Sequence, residues 1–243
     1  MRKYLTLLSC LFPSKLAVLF LKILGHNVSW KCKIGFSLIM VEKLILDEYS
    51  RIGHFNFINI PNISFSNGAY IGHLNILKGP FDLECAKRGS VGNFNIISRA
   101  KIGITYNKAV LKIGELSKIT ARHSIDLTRN VTIGDYSTIA GAGSQVWTHG
   151  YIHATSGPGR IRIDGEIKVN NNVYIGSQCI LNAGIIINSG ITVGSNSTIS
   201  KSITESGMYV GQKLRFIEKD MEHVKSVLSK VDLPYLVEDV YEK

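Results

Sequence analysis

The chain has 243 residues, is 45% hydrophobic, and carries 28 Lys and Arg against 18 Asp and Glu, a formal net charge of +10. Such a composition can bury one long core, which argues against a disordered chain, and the basic balance favours anionic partners. Four cysteines without zinc-type pairing (Cys10, Cys32, Cys85 and Cys179) and five prolines without a Ser/Gly-rich linker argue against a disulfide scaffold and against two linked domains, and fit a reducing cytoplasm.

The opening MRKYLTLLSC has about five apolar residues after its positive start, fewer than an export signal needs. From Ser14, SKLAVLFLKILG places Leu16, Leu19, Phe20, Ile23 and Leu24 on one helical face, with Lys15 and Lys22 beside it and Gly25 as a stop. This predicts a helical cap over residues 1–29. Its basic flank and the net charge suit peripheral contact with an anionic inner membrane face, while Pro13 and Lys15 make it a poor membrane span.

Regularity begins near residue 30. Every sixth residue from Val169 is a branched aliphatic: Val169, Ile175, Leu181, Ile187, Val193 and Ile199. The same period runs through Ile113, Ile119 and Ile125 and restarts at Ile133 and Ile139. Gly or Asn follows many of these aliphatics, as at Gly114, Gly134, Gly176 and Gly194, and suits a corner at positive φ. Six residues are too few for a strand-turn-helix unit, but three such units make one triangular coil, and stacked coils pair as parallel strands about 4.8 Å apart. Farther upstream, Ile34-Gly35, Ile52-Gly53, Ile71-Gly72 and Val91-Gly92 are spaced by 18, 19 and 20 residues, so the solenoid extends over residues 30–217 with small bulges. Residues 218–243 form a C-terminal helix or tail.

One stretch breaks the rhythm: SQVWTHGYIHATSGPGR, residues 144 to 160, with two histidines, a tryptophan and a Gly-Pro-Gly. The segment VYIGSQCILNAGIIINSGITVGSNSTISKSI, followed by GMYVGQKLRFI, resembles the hexapeptide-repeat acyltransferases, above all the O-acetyltransferases of sugars and polysaccharides such as the galactoside and maltose enzymes. The resemblance is strong from Ile113 to Ile217 and only periodic before that. It implies an all-β fold, a left-handed parallel β-helix with short terminal helices, assembled as a homotrimer with acetyl-coenzyme A in the groove between subunits. It also implies that the interruption is an active-site loop, residues 150–166, leaving the coil just after a catalytic histidine.

The chemistry can be argued from the residues. Moving an acetyl group from a thioester to an alcohol requires a base to take the hydroxyl proton during attack, and imidazole, ordinarily titrating near 6.5, suits that task. His149 is the expected general base, acting by direct transfer in a ternary complex. The resemblance further implies that Ser177, Ser195 and Lys201 line the coenzyme groove and that Arg215 approaches its phosphates, a role that both a point charge and a guanidinium fork can fill. The usual Gly-x-Pro-Ala near the end is replaced by Gly211-Gln212-Lys213-Leu214. The asparagine that orients the acceptor in sugar acetyltransferases has no counterpart, Thr120 standing near its place. Some polysaccharide-cluster members instead resemble this chain in a basic-histidine pair followed by an acidic residue, here Arg122-His123 and Asp126. His123, Asp126 and Trp147 are accordingly the candidates for acceptor binding, Asp126 also as a partner for a histidine and Trp147 as a sugar platform. His153 reads as a loop residue.

These features point to an acetyl-coenzyme A-dependent O-acetyltransferase acting on a glycan or sugar-nucleotide hydroxyl, cytoplasmic, with no metal and no nucleic-acid partner. An amino-sugar N-acetyltransferase is the nearest alternative. A γ-class carbonic anhydrase would use His123, His149 and His153 for zinc, but here HxxxH falls in a break of the repeat. A non-catalytic scaffold would have no reason to set a histidine before a projecting loop.

Overall fold

The computed structural model describes residues 2–211, 221–227, 229–231 and 240–242. Three long parallel sheets run the length of residues 27–209. Each coil contributes one short strand to each sheet, so that Val169 pairs with Ile187 in sheet one, Ile175 with Val193 in sheet two, and Leu181 with Ile199 in sheet three. All six are buried. The stacked triangular coils are those the six-residue period led us to expect, and the architecture is the left-handed parallel β-helix that the resemblance implied. Its core is a stack of mainly aliphatic layers, to which each strand contributes one to three inward side chains.

The glycines do a different task from the one expected. Positive φ occurs not at Gly114, Gly134, Gly176 and Gly194 but two residues later, at Leu116 (54°), Tyr136 (56°), Gln178 (57°) and Asn196 (59°). Glycine is required instead by the close approach of the next coil. A Cβ on Gly176 would lie 2.6 Å from the backbone nitrogen of Ser195, and one on Gly114 would lie 2.5 Å from the carbonyl carbon of Gly134.

The cap consists of a helical turn at Arg2–Leu5, a 3-10 segment at Thr6–Leu11 and a helix at Ser14–Ile23. The helix buries Ala17, Val18 and Leu21, whereas Leu16, Leu19 and Ile23 of the expected apolar face are exposed. Apolar residues surround this helix, so periodicity could not choose the inward face; the smaller Ala17 and Val18 let the helix approach the open end closely. Side chains of the cap also satisfy the unpaired edge of the first coil. Ser14 Oγ accepts from Ile34 N–H (2.9 Å), and Thr6 Oγ1 donates to Ile39 O (2.7 Å) and accepts from Val41 N–H (3.3 Å). No helix among the described residues is long and apolar enough to cross a membrane.

Beneath the corner between sheets two and three runs a buried polar column. Each side chain accepts the backbone N–H of its successor one coil on: Ser37 from Asn56, Asn56 from Asn75, Asn75 from Asn95, Asn95 from His123, His123 from Ser144, and Ser144 from Cys179. These bonds span 2.8 to 3.1 Å. His123 is one rung of a structural ladder.

Residues 212–243 form a separate unit, of which a short helix (Met221–Ser226) and an antiparallel pair (Ser229–Val231 with Val240–Glu242) are described.

Candidate active site

Partner positions along sheet two show where the coil is interrupted. Ile34, Ile52, Ile71, Val91, Ile119, Ile139, Ile175 and Val193 are successive partners, and their spacing of 18 to 20 residues jumps to 28 after Val91 and to 36 after Ile139. Both insertions leave from the corner between sheets three and one. The first follows Ser98 and includes Ile102, Ile104 and Tyr106, all exposed. The second begins at His149 and is not an irregular loop over its full length but a β-hairpin, His149–His153 against Arg160–Asp164.

The two insertions touch. Arg162 is held by Asp164 through two hydrogen bonds of 2.7 and 2.9 Å, and its Nη1 donates to Ile104 O at 2.6 Å. Arg129 stacks over the Tyr106 ring at 5.1 Å. Arg99, buried, donates to the carbonyls of Pro80, Tyr106 and Asn107, so it pins the first insertion to the coil. None of these residues was singled out by sequence reasoning, although the 28-residue step from Val91 to Ile119 was available as a signal.

His149 lies at the mouth between the insertions, with about a quarter of its side chain exposed. Its Nδ1 is 2.9 Å from Asp126 Oδ2 and 3.2 Å from Thr128 Oγ1. Asp126 ends the sheet-three strand Ser124–Asp126, so the coil itself fixes its position. Its carboxylate also accepts from the Thr148 hydroxyl and amide and from the Thr128 hydroxyl and amide. Burial alone would raise the Asp126 carboxyl, but the bonds from Thr148 and His149 outweigh it and hold it below the usual value, so it is an anion at neutral pH. An ionised carboxylate can only accept, so Nδ1 carries a proton, and in the neutral imidazole Nε2 is the nitrogen with the lone pair. Nε2 has no hydrogen-bond partner among the described residues. Trp147 and Tyr151 stand edge-on to the imidazole, with centroids at 6.3 and 5.8 Å.

The other sequence candidates are distributed as follows. Trp147 is partly exposed, and its Nε1 donates to Gln145. His123 is 1% exposed; Nδ1 accepts from Ser144 N–H and Nε2 contacts Thr120 Oγ1 at 3.0 Å, so both nitrogens are engaged inside the coil and neither faces His149's mouth. Burial lowers its pKa to about 4. Lys201 is exposed and follows the strand Thr198–Ile199, on the same corner edge as His149 two coils farther on. Ser177 and Ser195 stack at a different corner, between sheets two and three, with Ser195 Oγ accepting from Ser177 N–H at 3.1 Å. One chain therefore does not bring them to His149. His153 lies in the hairpin against Tyr151. Arg215 lies outside the described residues. Among the described residues no three His, Cys, Asp or Glu side chains converge as a metal site requires.

No family model matches the chain, and no curated protein sequence does. Solved structures are similar to it. The polySia-specific acetyltransferase NeuO is 17% identical over 80% of each chain, with a TM-score of 0.44. The polysialic acid O-acetyltransferase OatWY is 15% identical over 83% of this chain and 93% of its own, with a TM-score of 0.49. AntD, an N-acyltransferase from Bacillus cereus in complex with dTDP and 3-hydroxybutyryl-CoA, is 16% identical over 89% and 95%, with a TM-score of 0.42.

Proposed function

We propose that this protein transfers an acyl group, acetyl in the first instance, from a coenzyme A thioester to a hydroxyl of a glycan or sugar nucleotide. The observation that carries the reading is the His149–Asp126 pair: a largely buried carboxylate accepts from Nδ1 and leaves Nε2 of the part-exposed imidazole without a hydrogen-bond partner among the described residues. In the proposed step the acceptor oxygen attacks the thioester carbonyl carbon while its proton passes to Nε2. The oxyanion collapses, the C–S bond breaks, and the departing thiolate recovers the proton from Nε2–H. Asp126 stabilises the imidazolium in between, and Thr128 and Thr148 keep the carboxylate in place. No covalent acyl-enzyme is needed, because the thioester is already activated.

Ser177 and Ser195 lie at a different corner from His149 and Lys201, so a coenzyme groove using all four needs walls from two chains. A homotrimer supplies them, and the surface supports one. The outward residues Leu38, Ile76 and Ile96 of sheet three are 43 to 49% exposed and in register, and the corner residues Phe55, Leu74 and Phe94 beside them are 44 to 70% exposed. Beyond them the column turns polar at Ser124 and Gln145. Large apolar side chains held exposed at positive φ are costly in a monomer and are explained by a second copy covering them. The exposed Leu16, Leu19 and Ile23 beside Lys15 support peripheral contact with anionic lipid.

The test is direct. Purified protein, radiolabelled acetyl-coenzyme A and a panel of sugar nucleotides and oligosaccharides should give base-labile label on an acceptor, with release of one free thiol per transfer. Alkali-stable label on an amine would favour the N-acyl reading, and thiol release with no acceptor dependence would sink both.

A further inference from the structure

Far from His149, at the capped end, the outer face of sheet two carries two adjoining depressions of about 790 and 520 Å3 that share Lys31, Lys33, Arg51 and Tyr70. Neither is lined by a single Asp or Glu. Lys31 is paired with Glu48 outside the lining, but Lys33, Arg51 and the neighbouring Arg88 have no carboxylate partner among the described residues. The strand register sets the basic residues in line: Lys33, Arg51, Tyr70, Ser90 and Lys118 occupy equivalent positions on successive coils. Tyr70 is clasped between Arg51 (4.9 Å to the ring centroid) and Lys118 (6.0 Å).

The edge of the larger depression adds neutral donors. His54 and His73 are stacked, with centroids 5.5 Å apart and planes within 5°. Each uses Nδ1 to accept a backbone N–H, from Phe36 at 3.2 Å and from His54 at 3.0 Å. That fixes the neutral tautomer with its proton on Nε2. The lining thus offers lysine, guanidinium and imidazole N–H groups, of which only Lys31 is paired with a carboxylate among the described residues.

We propose that this stripe is a second binding site, for an extended anionic oligosaccharide bearing carboxylate or phosphate groups. Lys33 and Arg51 stand one coil spacing apart, about 4.8 Å, and Lys118 lies three spacings beyond Arg51 on the same row, so the cations are spread along a flat sheet in a geometry for a linear chain and not for a single sugar. The aromatic face of Tyr70 is already covered by cations, so base stacking, which single-stranded nucleic acid exploits, is not on offer there. Four strand steps separate Arg51 from the coil that leads to His149, roughly 20 Å along the axis. A monosaccharide cannot reach both places, whereas a polymer can. That such an oligosaccharide is also the acyl acceptor rests on the acyl transfer proposed above; its binding does not.

Calorimetry on the full chain at low and moderate salt tests the site. The probes are oligogalacturonates of two and eight residues, a phosphomannan oligosaccharide, neutral maltoheptaose and single-stranded dT20. We expect the eight-residue galacturonate or the phosphomannan to bind at least tenfold more tightly than the dimer and maltoheptaose, and the stronger of the two identifies the anionic group. Lys33→Glu with Arg51→Glu, both at exposed positions, should weaken that binding at least tenfold while acetyl-coenzyme A binding stays unchanged. The proposal is overturned if no anionic glycan binds, if maltoheptaose or dT20 binds as tightly, or if the double variant binds like the native chain. Because binding is read without turnover, failure of acyl transfer and failure of this site are separate results.

Discussion

Asp126 Oδ2 accepts a hydrogen bond from Nδ1 of His149 at 2.9 Å, and the same carboxylate is held by the hydroxyls and amides of Thr128 and Thr148. The acid sits on the regular coil and the histidine on the first residue of the hairpin, so the pair spans the boundary between scaffold and insertion. His149 is part-exposed and fills no core layer. Replacing it with Ala should lower turnover by about 10²–10⁴-fold, the usual worth of a general base. The thermal midpoint and acetyl-coenzyme A binding should barely change. A variant that folds, binds and keeps more than a tenth of native turnover rules His149 out.

Asp126→Asn separates orientation from packing. The amide is nearly the same size, but its NH2 would face Nδ1 as a donor and so favour the tautomer with the proton on Nε2, the wrong atom for a base. We expect turnover to fall by about 10²-fold or more with little change in the Michaelis constant for acetyl-coenzyme A. A parallel rise in that constant would instead mean that the carboxylate binds substrate. Asp126→Ala should in addition cost about 1–3 kcal/mol of stability, because five donors lose their acceptor.

Much of this was legible in the sequence, and what was not has physical reasons. The six-residue period from Val169 to Ile199 reports a buried side chain that recurs on every strand, and such a pattern survives in the folded coil without change. The interruption at residues 144 to 160 marked the hairpin, because a projecting arm has no inward layer to fill. The inward face of the cap was not legible: Ser14–Ile23 is apolar on more than one side, and which side is covered depends on the shape of the first coil. His123 read as a functional histidine because its place in a column of Ser and Asn side chains is set by residues one coil away, more than twenty positions off in sequence. Arg99 and Arg162 escaped notice because carbonyl-binding arginines leave no local pattern.

His123 gives the fold an acid sensitivity of calculable sign. Its pKa is lowered from 6.5 to about 4 in the folded chain, chiefly by burial. In the unfolded chain it protonates near 6.5, so as pH falls below that value the unfolded state gains a proton that the folded state refuses. Stability should therefore decline between about pH 6.5 and pH 4, by up to about 3 kcal/mol at 1.36 kcal/mol per unit. Asp126 acts lower: its pKa is depressed, so its stabilisation is present above the ordinary carboxylate range and is lost as pH falls through and below it. Denaturant midpoints of the native chain and His123→Asn, compared from pH 7 to 4, isolate the first effect. Asparagine already occupies three rungs of this column, and the variant should show a shallower decline. An identical pH dependence would refute the assignment.

Assembly should fail when the apolar columns are charged. Phe55 is 70% exposed and Phe94 48%, so Glu at both positions removes no core contact. In a trimer they would bury carboxylates without partners, at several kcal/mol each. Sedimentation should find the native chain as a trimer at micromolar concentration and Phe55→Glu/Phe94→Glu as a folded monomer. A native monomer, or an unaffected trimer in the variant, contradicts the assembly.

Lys201 tests where the coenzyme lies. It is exposed and sits on the His149 corner edge two coils farther on, roughly 10 Å along the axis at the spacing of paired strands. That is remote from a proton transfer at Nε2 but within reach of the far end of an extended coenzyme whose thioester lies at His149. A charge reversal there acts on the phosphates and leaves the reacting carbon alone. Lys201→Glu should raise the Michaelis constant for acetyl-coenzyme A by about tenfold or more, equivalent to at least 1.4 kcal/mol, while turnover at saturation changes little. The increase should shrink at high salt, since an exposed charge is screened within a Debye length of about 10 Å at 0.1 M. Equal losses in turnover and in turnover over Michaelis constant would place Lys201 at the chemistry, and an unchanged constant would put the coenzyme on another edge of the coil.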